Sequence, residues 1–380
     1  MELLLAIVIV VTGWLVFSII RSSKGQEGYK RWKAGNYAGE NPYAKEKKES
    51  VSSLKNIFGR KVVAFGSKRF DAGAVSWCAS LLGVKEDTLR EVLDYVPRQY
   101  TQFYIKKRSG GVRIITAPQG QLRAMQQTIY QRVLLLANVH PAVTGFCPGK
   151  SVSDNARVHL GRKNVLKVDL HDFFPSIRSP RVRATFREMG YSHPIAKVLA
   201  ELCCCNRYLP QGAPTSPALS NIIAYPMDKK MMALADEYGL VYTRYADDLT
   251  FSGDFLPKDK VLSRIDQVIR EEGFTMNVKK TRFLPEHKRK IITGVSVSSG
   301  AKMTIPKTKK REIRKNVHYV LTKGLASHQE HIGSTDPVYL KRLLGNLCYW
   351  RSIEPDTFLS ELSVYISAEQ TMWFPFNPLH

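Results

Sequence analysis

Cysteine is scarce and poorly spaced for cross-linking. The 380-residue chain has six, Cys78, Cys147, Cys203, Cys204, Cys205 and Cys348, three of them consecutive and none in a Cys-x-x-Cys pair. That spacing excludes a disulfide framework and a zinc ribbon, and it suits a reducing, cytosol-facing compartment. The nine histidines show no metal-ligand spacing either. There is no internal repeat, so a repeat array is excluded. Acidic residues are in deficit: 33 Asp plus Glu stand against 57 Lys plus Arg, for a formal charge of +24. A folded chain this basic meets a polyanion, either nucleic acid or an anionic membrane surface. The cations are clustered, as in KRWK (30–33), KEKK (45–48), HKRK (287–290) and KTKKREIRK (307–315). With 44% hydrophobic residues most of the chain should fold, and its length points to two or three lobes.

One long uncharged run stands out, LLLAIVIVVTGWLVFSII at 3–20. As a helix it rises about 27 Å, close to the thickness of a hydrocarbon core. A signal peptide would open on basic residues and end at a small-residue cleavage site. This run opens after Glu2 and is followed by Arg21, Lys24, Lys30, Arg31 and Lys33. The expectation is a single-pass anchor in the inner, cytoplasmic membrane with the rest of the chain on the cytoplasmic side. A signal peptide and a helix docked in an oligomer are the alternatives.

Residues 21–50 read as a Gly-, Lys- and Glu-rich linker. Beyond them, TQFYIKKRSGGVRIITAP (101–118) predicts a hairpin turning at Ser109-Gly110-Gly111. QLRAMQQTIYQRVLLLA (121–137) has helical spacing, and NVLKVDLHDFF (164–174) reads as a strand running into a turn. A helix is expected after Pro217, and KVLSRIDQVIREEGF (260–274) predicts one with Val261, Ile265, Val268 and Ile269 inward. VYTRYADDLTFSG (241–253) reads as strand, tight turn, strand, with Asp247 and Asp248 at the turn.

Asp169 ends an apolar strand, and Asp247 and Asp248 sit on a hairpin. Three strand-end carboxylates can converge, and unpaired they raise one another's pKa values. A divalent metal resolves the repulsion, because hard oxygen ligands hold Mg²⁺ together with substrate phosphates, and two ions serve in-line phosphoryl transfer. An Asp-Asp pair alone also suits a plain polar turn.

YADD (245–248), VDLHDFFPSI (168–177) and LPQGAPTSPALSN (209–221) occur together, with the strand-end Asp first, the Gln-Gly segment second and the Asp pair third. This ordered set resembles the palm of reverse transcriptases of the prokaryotic branch, over roughly residues 100–300. NARVH, with Asn155 and His159, resembles the Asn-Ala-x-x-His element of retron reverse transcriptases. ITG (292–294) stands where that group has Val-Thr-Gly, and LKRLLGNLCYWRSIEPDTF (340–358) resembles its thumb. The resemblance implies an α/β (α+β) right-hand polymerase with fingers, a ferredoxin-like palm and a mostly helical thumb. The expected division is a transmembrane helix at 1–22, a linker at 23–50, fingers at 51–165, palm at 166–295 and thumb at 296–380. The implied reaction is RNA-directed DNA synthesis on a partner non-coding RNA, primed from a 2′-hydroxyl. It yields a branched RNA–DNA hybrid used with an effector protein in antiphage defence.

The resemblance also distributes roles. Asp169 and Asp247 would bridge two Mg²⁺ ions with the Leu170 carbonyl as an extra ligand, and Asp248 would be more peripheral. Lys106 and Arg113 would hold the incoming dNTP, or else form an exposed basic hairpin; Arg suits phosphate bidentately. Phe174 would exclude the ribose 2′-hydroxyl, or pack in the core. Gln211 and Gly212 would begin a helix beneath the nascent base pair. Lys280 would give a proton to pyrophosphate, or stay solvated. Asn155 and His159 would contact RNA or brace the palm. KTKKREIRKNVHYVLTKG (307–324) predicts a helix with Ile313, Val317, Val320 and Leu321 inward. Lys309, Lys310, Arg314 and Lys315 on that helix would grip an A-form duplex by its backbone. The competing readings are a defence reverse transcriptase without the usual retron RNA and a membrane-tethered RNA-binding protein with a relic palm. The intact carboxylates argue against the relic. Phe174, and Ala246 in place of Gly before the Asp pair, disfavour an RNA-templated RNA polymerase.

Overall fold

The computed structural model describes residues 70–106 and 110–356. The expected anchor at 3–20 and the linker lie outside the described residues; among the described residues no helix is long and apolar enough to cross a membrane. The fold begins with helices α1 (Ala72–Leu82) and α2 (Glu86–Asp94). Asp71 caps α1 by accepting the Ala74 N–H at 2.8 Å, and Gly83, at φ 69°, ends it in the left-handed conformation that glycine adopts without strain. The predicted hairpin follows as β1 (Tyr100–Lys106) and β2 (Val112–Pro118), with Gly110 and Gly111 both at positive φ. Helix α3 (Gly120–Arg132) takes up most of the run read as helical, which then tightens into a 3₁₀ turn at Leu134–Leu136. Helix α4 (Val152–Arg157) starts at a capping box in which Ser151 and Asp154 bond each other's backbone.

The central sheet follows. It contains β3 (Asn164–Asp169), β4 (Val241–Tyr245), β5 (Asp248–Gly253) and β6 (Arg282–Leu284), in the spatial order β4-β5-β3-β6, all antiparallel. Between β3 and β4 come the one-turn α5 (Phe173–Ser176), then α6 (Ser179–Glu188), α7 (His193–Cys203), α8 (Ser216–Ile223) and α9 (Tyr225–Glu237); α10 (Lys258–Glu271) joins β5 to β6. Strand, helices, strand, strand, helix, strand in this order is the split βαβ arrangement expected of the palm. Helix α10 buries Val261, Ile265 and Ile269, one every fourth residue, as its periodicity predicts.

The period of two along the strands divides the sheet. Leu166, Val168, Leu249 and Phe251 enter the main core, under the helices, and Tyr242 packs on Phe251 with ring centroids 4.8 Å apart. The other face carries Val165, Lys167 and Asp169, paired with Ser252, Thr250 and Asp248. The hairpin therefore buries Tyr and Leu on one face while its other face ends in carboxylates. Val165 belongs to a second core, shared with Ile292, Val295, Val297, Ile313, Val317, Leu343 and Trp350. That core is built mainly from the short strands β7 (Ile291–Ile292) and β8 (Val295–Ser296) and the helices α11 (Lys307–Lys323) and α13 (Tyr339–Ile353), with α12 (Leu325–His331) between these two helices in sequence. Along α11, Ile313 and Val317 are buried, while Val320 and Leu321 are partly buried against the same core.

Candidate active site

The pairing of β3 with β5 sets Asp169 directly opposite Asp248. Asp247 lies in the two-residue turn before β5, where Ala246 has φ 57°. The Leu170 N–H donates to the Asp247 carbonyl at 2.9 Å, and the Asn277 N–H donates to the Asp169 carbonyl at 2.7 Å. Two backbone bonds thus close the end of the sheet around three carboxylates. Leu170, whose carbonyl was expected to serve as a ligand, is held against the turn through its own N–H.

Burial raises the pKa of Asp247, and the negative charges of Asp248 and Asp169 push it further in the same direction. Burial likewise raises Asp248, with Asp169 adding to the effect while Lys167 and Lys280 oppose it. Asp169 is buried and fully engaged: its carboxylate accepts from Asn277 Nδ2 at 2.9 Å and from Lys280 Nζ at 3.0 and 2.9 Å. Burial works against the charged form of Lys280, but its bond to Asp169 and the field of all three aspartates hold its pKa above the usual lysine value. Among the described residues no three His, Cys, Asp or Glu side chains converge closely enough to hold an ion. The donors nonetheless have the right chemistry for one: hard oxygens, more negative charge than the local cations offset, and one ammonium already seated on Asp169. The set therefore suits a divalent cation in its donor chemistry, with the Lys280 ammonium holding Asp169 in this structure.

Phe174 lies on α5, half-buried, with its ring 5.6 Å from that of Phe173 and 6.1 Å from that of Phe146. Phe146, at φ 61°, in turn approaches Tyr245 at 6.3 Å. A row of rings thus runs from Phe174 to the end of β4, next to the turn that leads to the Asp pair. No local pattern marks Phe146, because it reaches the site through a loop.

Four expected sets of residues are placed as follows. Gln211 and Gly212 do not begin a helix: α8 starts at Ser216, and the Gln211 carbonyl instead accepts the Thr116 N–H at 2.8 Å, docking the loop on β2. Gly212 is at φ 127°, and a Cβ there would sit 2.7 Å from the Ile115 side chain, so the close approach to the hairpin requires glycine. Lys106 pairs with Val112 and Arg113 with Ile105, so the two cations start from opposite faces of the exposed ribbon. Asn155 and His159 are buried inside the protein. His159 bonds Ser252 Oγ at 2.6 Å and Thr243 Oγ1 at 2.8 Å, and Asn155 accepts from Thr144 Oγ1 at 2.9 Å, so they brace the palm and do not meet RNA. Lys310 is paired with Glu354, which also accepts the Ile305 N–H, so it ties the thumb helices together. Lys309 pairs with Glu312 at 3.2 Å, Arg314 lies over the Trp350 ring and Lys315 over Tyr319. Lys307, Arg311, Lys315 and Lys323 are the exposed lysines and arginines of α11.

One cluster was not anticipated. Arg244 on β4 and Asp228 on α9 are both fully buried, and they form a two-pronged ion pair at 2.7 and 2.6 Å. A lone Arg in an apolar strand, immediately before YADD, was the available signal.

Residues 105–317 match the family model described as reverse transcriptase (RNA-dependent DNA polymerase). The chain is 36% identical over 301 residues to the retron Mx65 reverse transcriptase of Myxococcus xanthus, covering 73% of this chain and 68% of that protein. It is 34% identical over 252 residues to the retron Ec86 reverse transcriptase of Escherichia coli, covering 66% of this chain and 78% of that protein. Among solved structures, telomerase from Candida albicans in complex with a fragment of telomeric RNA gives a TM-score of 0.41 at 13% identity, covering 71% of this chain and 56% of that one.

Proposed function

Because the chain belongs to the retron-type reverse transcriptases and is an RNA-directed DNA polymerase, we propose that it copies a partner non-coding RNA into a branched RNA–DNA hybrid, with Asp169, Asp247 and Asp248 as its catalytic carboxylates. The observation that carries the assignment is the register of Asp169 against Asp248, with the Asp247 carbonyl tied to Leu170. Two Mg²⁺ ions, when bound, supply the charge that holds the triphosphate and stabilises the attacking and leaving oxygens. The three carboxylates would hold them. Lys280 begins on Asp169 and, once displaced, has an ammonium within reach of the leaving pyrophosphate. Phe174, on the short helix after Asp169, faces the sugar of the incoming dNTP and favours deoxyribose. Lys106 and Arg113 of the β1–β2 ribbon meet the triphosphate, Arg113 through its bidentate fork. The exposed cations of α11 track the hybrid by its backbone.

The cellular reading goes one step further. The product acts in antiphage defence with an effector protein, and residues 3–20 hold the enzyme at the inner membrane with its catalytic part in the cytoplasm. Detergent, and not salt, should then release the full-length protein from membranes. Sequencing the nucleic acid that copurifies with the protein tests the main claim. A discrete RNA joined to short DNA is expected. DNA made without a joined RNA would favour the defence reverse transcriptase that lacks a retron RNA.

A further inference from the structure

The Arg244–Asp228 pair has no place in the reaction as described, although it lies directly beneath the turn that bears the carboxylates. We infer that Arg244, locked by Asp228, is a positioning residue that holds the Ala246–Asp247–Asp248 turn in its working conformation; the inference rests on the reading of Asp247 and Asp248 as catalytic.

The guanidinium makes four bonds. Nε donates to Asp228 Oδ1 at 2.7 Å and Nη2 to Asp228 Oδ2 at 2.6 Å. Nη1 donates to Asn221 Oδ1 at 3.1 Å and to the Ala246 carbonyl at 3.1 Å. Asp228 is fixed in turn by the Tyr242 hydroxyl at 2.7 Å. The planar fork thus has one side locked on α9 and the other on the turn, which a flexible ammonium cannot reproduce.

The backbone completes the clamp. The Arg244 N–H donates to Ala142 at 3.0 Å, and its carbonyl accepts the Thr144 N–H at 2.9 Å, so residues 142–144 run beside β4 as an extra edge. Gly145 then lies against the turn: a Cβ on it would sit 2.6 Å from the Ala246 nitrogen. Asn221 Nδ2 donates to the Gly145 carbonyl at 2.9 Å, so the same Asn221 holds both Arg244 and the loop packed on the turn. Ala246 occupies the left-handed region, where an L residue is strained and persists only if its surroundings over-determine it. Here they do so from two sides. Apolar residues can often replace a buried ion pair without loss of stability, so geometry is the better account of this one.

The test uses the full chain with its copurified RNA and four variants. Misplacing a reacting group by about 1 Å can cost about a hundredfold in rate. Arg244→Lys keeps the charge and loses the fork. It should lower kcat for single-nucleotide addition by about tenfold to a hundredfold, with KM for dNTP and RNA affinity essentially unchanged. Tyr242→Phe removes a bond to Asp228 that does not reach the turn, so it should lower the melting temperature and leave kcat alone. Asn221→Ala leaves the Asp228 fork intact and serves if Arg244→Lys does not fold; it should reduce kcat severalfold at unchanged KM. Wild-type kcat in folded Arg244→Lys, or in Asn221→Ala, would overturn the inference. So would equal loss of kcat per folded molecule in Arg244→Lys and Tyr242→Phe. Asp247→Asn separates the two layers. If it is inactive while Arg244→Lys is normal, only the positioning role falls; if it remains active, the catalytic assignment falls and takes the positioning role with it.

Discussion

Near the end of strand β4, Arg244 is fully buried and neutralised by Asp228, itself fully buried on α9; three and four residues further on, Asp247 and Asp248 are half-buried, and burial together with neighbouring carboxylates raises their pKa values. Both clusters draw on the same hairpin, yet one is balanced in charge and the other is not. The balanced pair has its hydrogen bonds satisfied within the protein, so it has nothing left to offer a ligand. The unbalanced trio keeps charge for which the protein supplies Lys280 and the more distant Lys167. Charge left uncompensated at a sheet end marks a candidate functional site.

Removing one charge from each cluster should give opposite results. Asp247→Asn should abolish dNTP incorporation, a loss of about a thousandfold or more. Its melting temperature should not fall in the absence of metal, because the substitution removes a repulsion and keeps the shape. Primer-extension rates and a thermal melt on the same sample check both halves. Asp228→Ala should do the reverse first: leaving Arg244 buried without its partner should cost about 3–5 kcal/mol of stability. A denaturant titration measures it, and a loss below about 1 kcal/mol would mean that water enters to solvate Arg244.

A third test concerns His159, a buried group that is neutral, unlike either cluster. Burial, with a smaller contribution from Arg162, lowers its pKa to about 3. The unfolded chain takes up a proton near pH 6.5 and the folded chain does not, so stability is greatest above about pH 6.5 and falls steadily toward pH 3. At pH 5 the loss from this group should be roughly 2 kcal/mol. Comparing the pH dependence of unfolding with that of His159→Gln isolates it, since the variant should lack that part of the slope.

Much of this was legible in the sequence, and what was not shares one cause. The 241–253 hairpin, the strand ending at Asp169, helix α10 and helix α11 follow from local alternation and 3.6-residue spacing. Asp169 comes opposite Asp248 because the ends of two strands meet, with Asp247 in the turn beside them. Partner choice is tertiary and left no local trace. Nothing near Arg244 names Asp228, which lies 16 residues earlier on another element. Nothing near His159 names Ser252 and Thr243, and without them its ring looked free for RNA. Lys310 resembled its neighbours in a basic run until Glu354, 44 residues later, claimed it.

The finest test asks whether the unbalanced site extends past its charges to the neighbouring ring. Phe174 follows Asp169 by five residues on a one-turn helix, half-buried, with Phe146 and Phe173 against it. If its exposed edge faces the sugar of the incoming nucleotide, Phe174→Val should lower the dNTP/rNTP ratio of kcat/KM by about tenfold. The change should come from improved rNTP use, because dNTPs carry no 2′-hydroxyl to clash. A ring that is only half-buried makes fewer contacts than a core ring, so stability should fall by less than the roughly 3–5 kcal/mol typical of a core Phe→Ala truncation. The two readouts move separately: a steric role shifts the ratio at near-constant melting temperature, and a packing role shifts the melting temperature at constant ratio. An unchanged ratio would assign Phe174 to the Phe146–Phe173 packing and confine the site to its three carboxylates and Lys280.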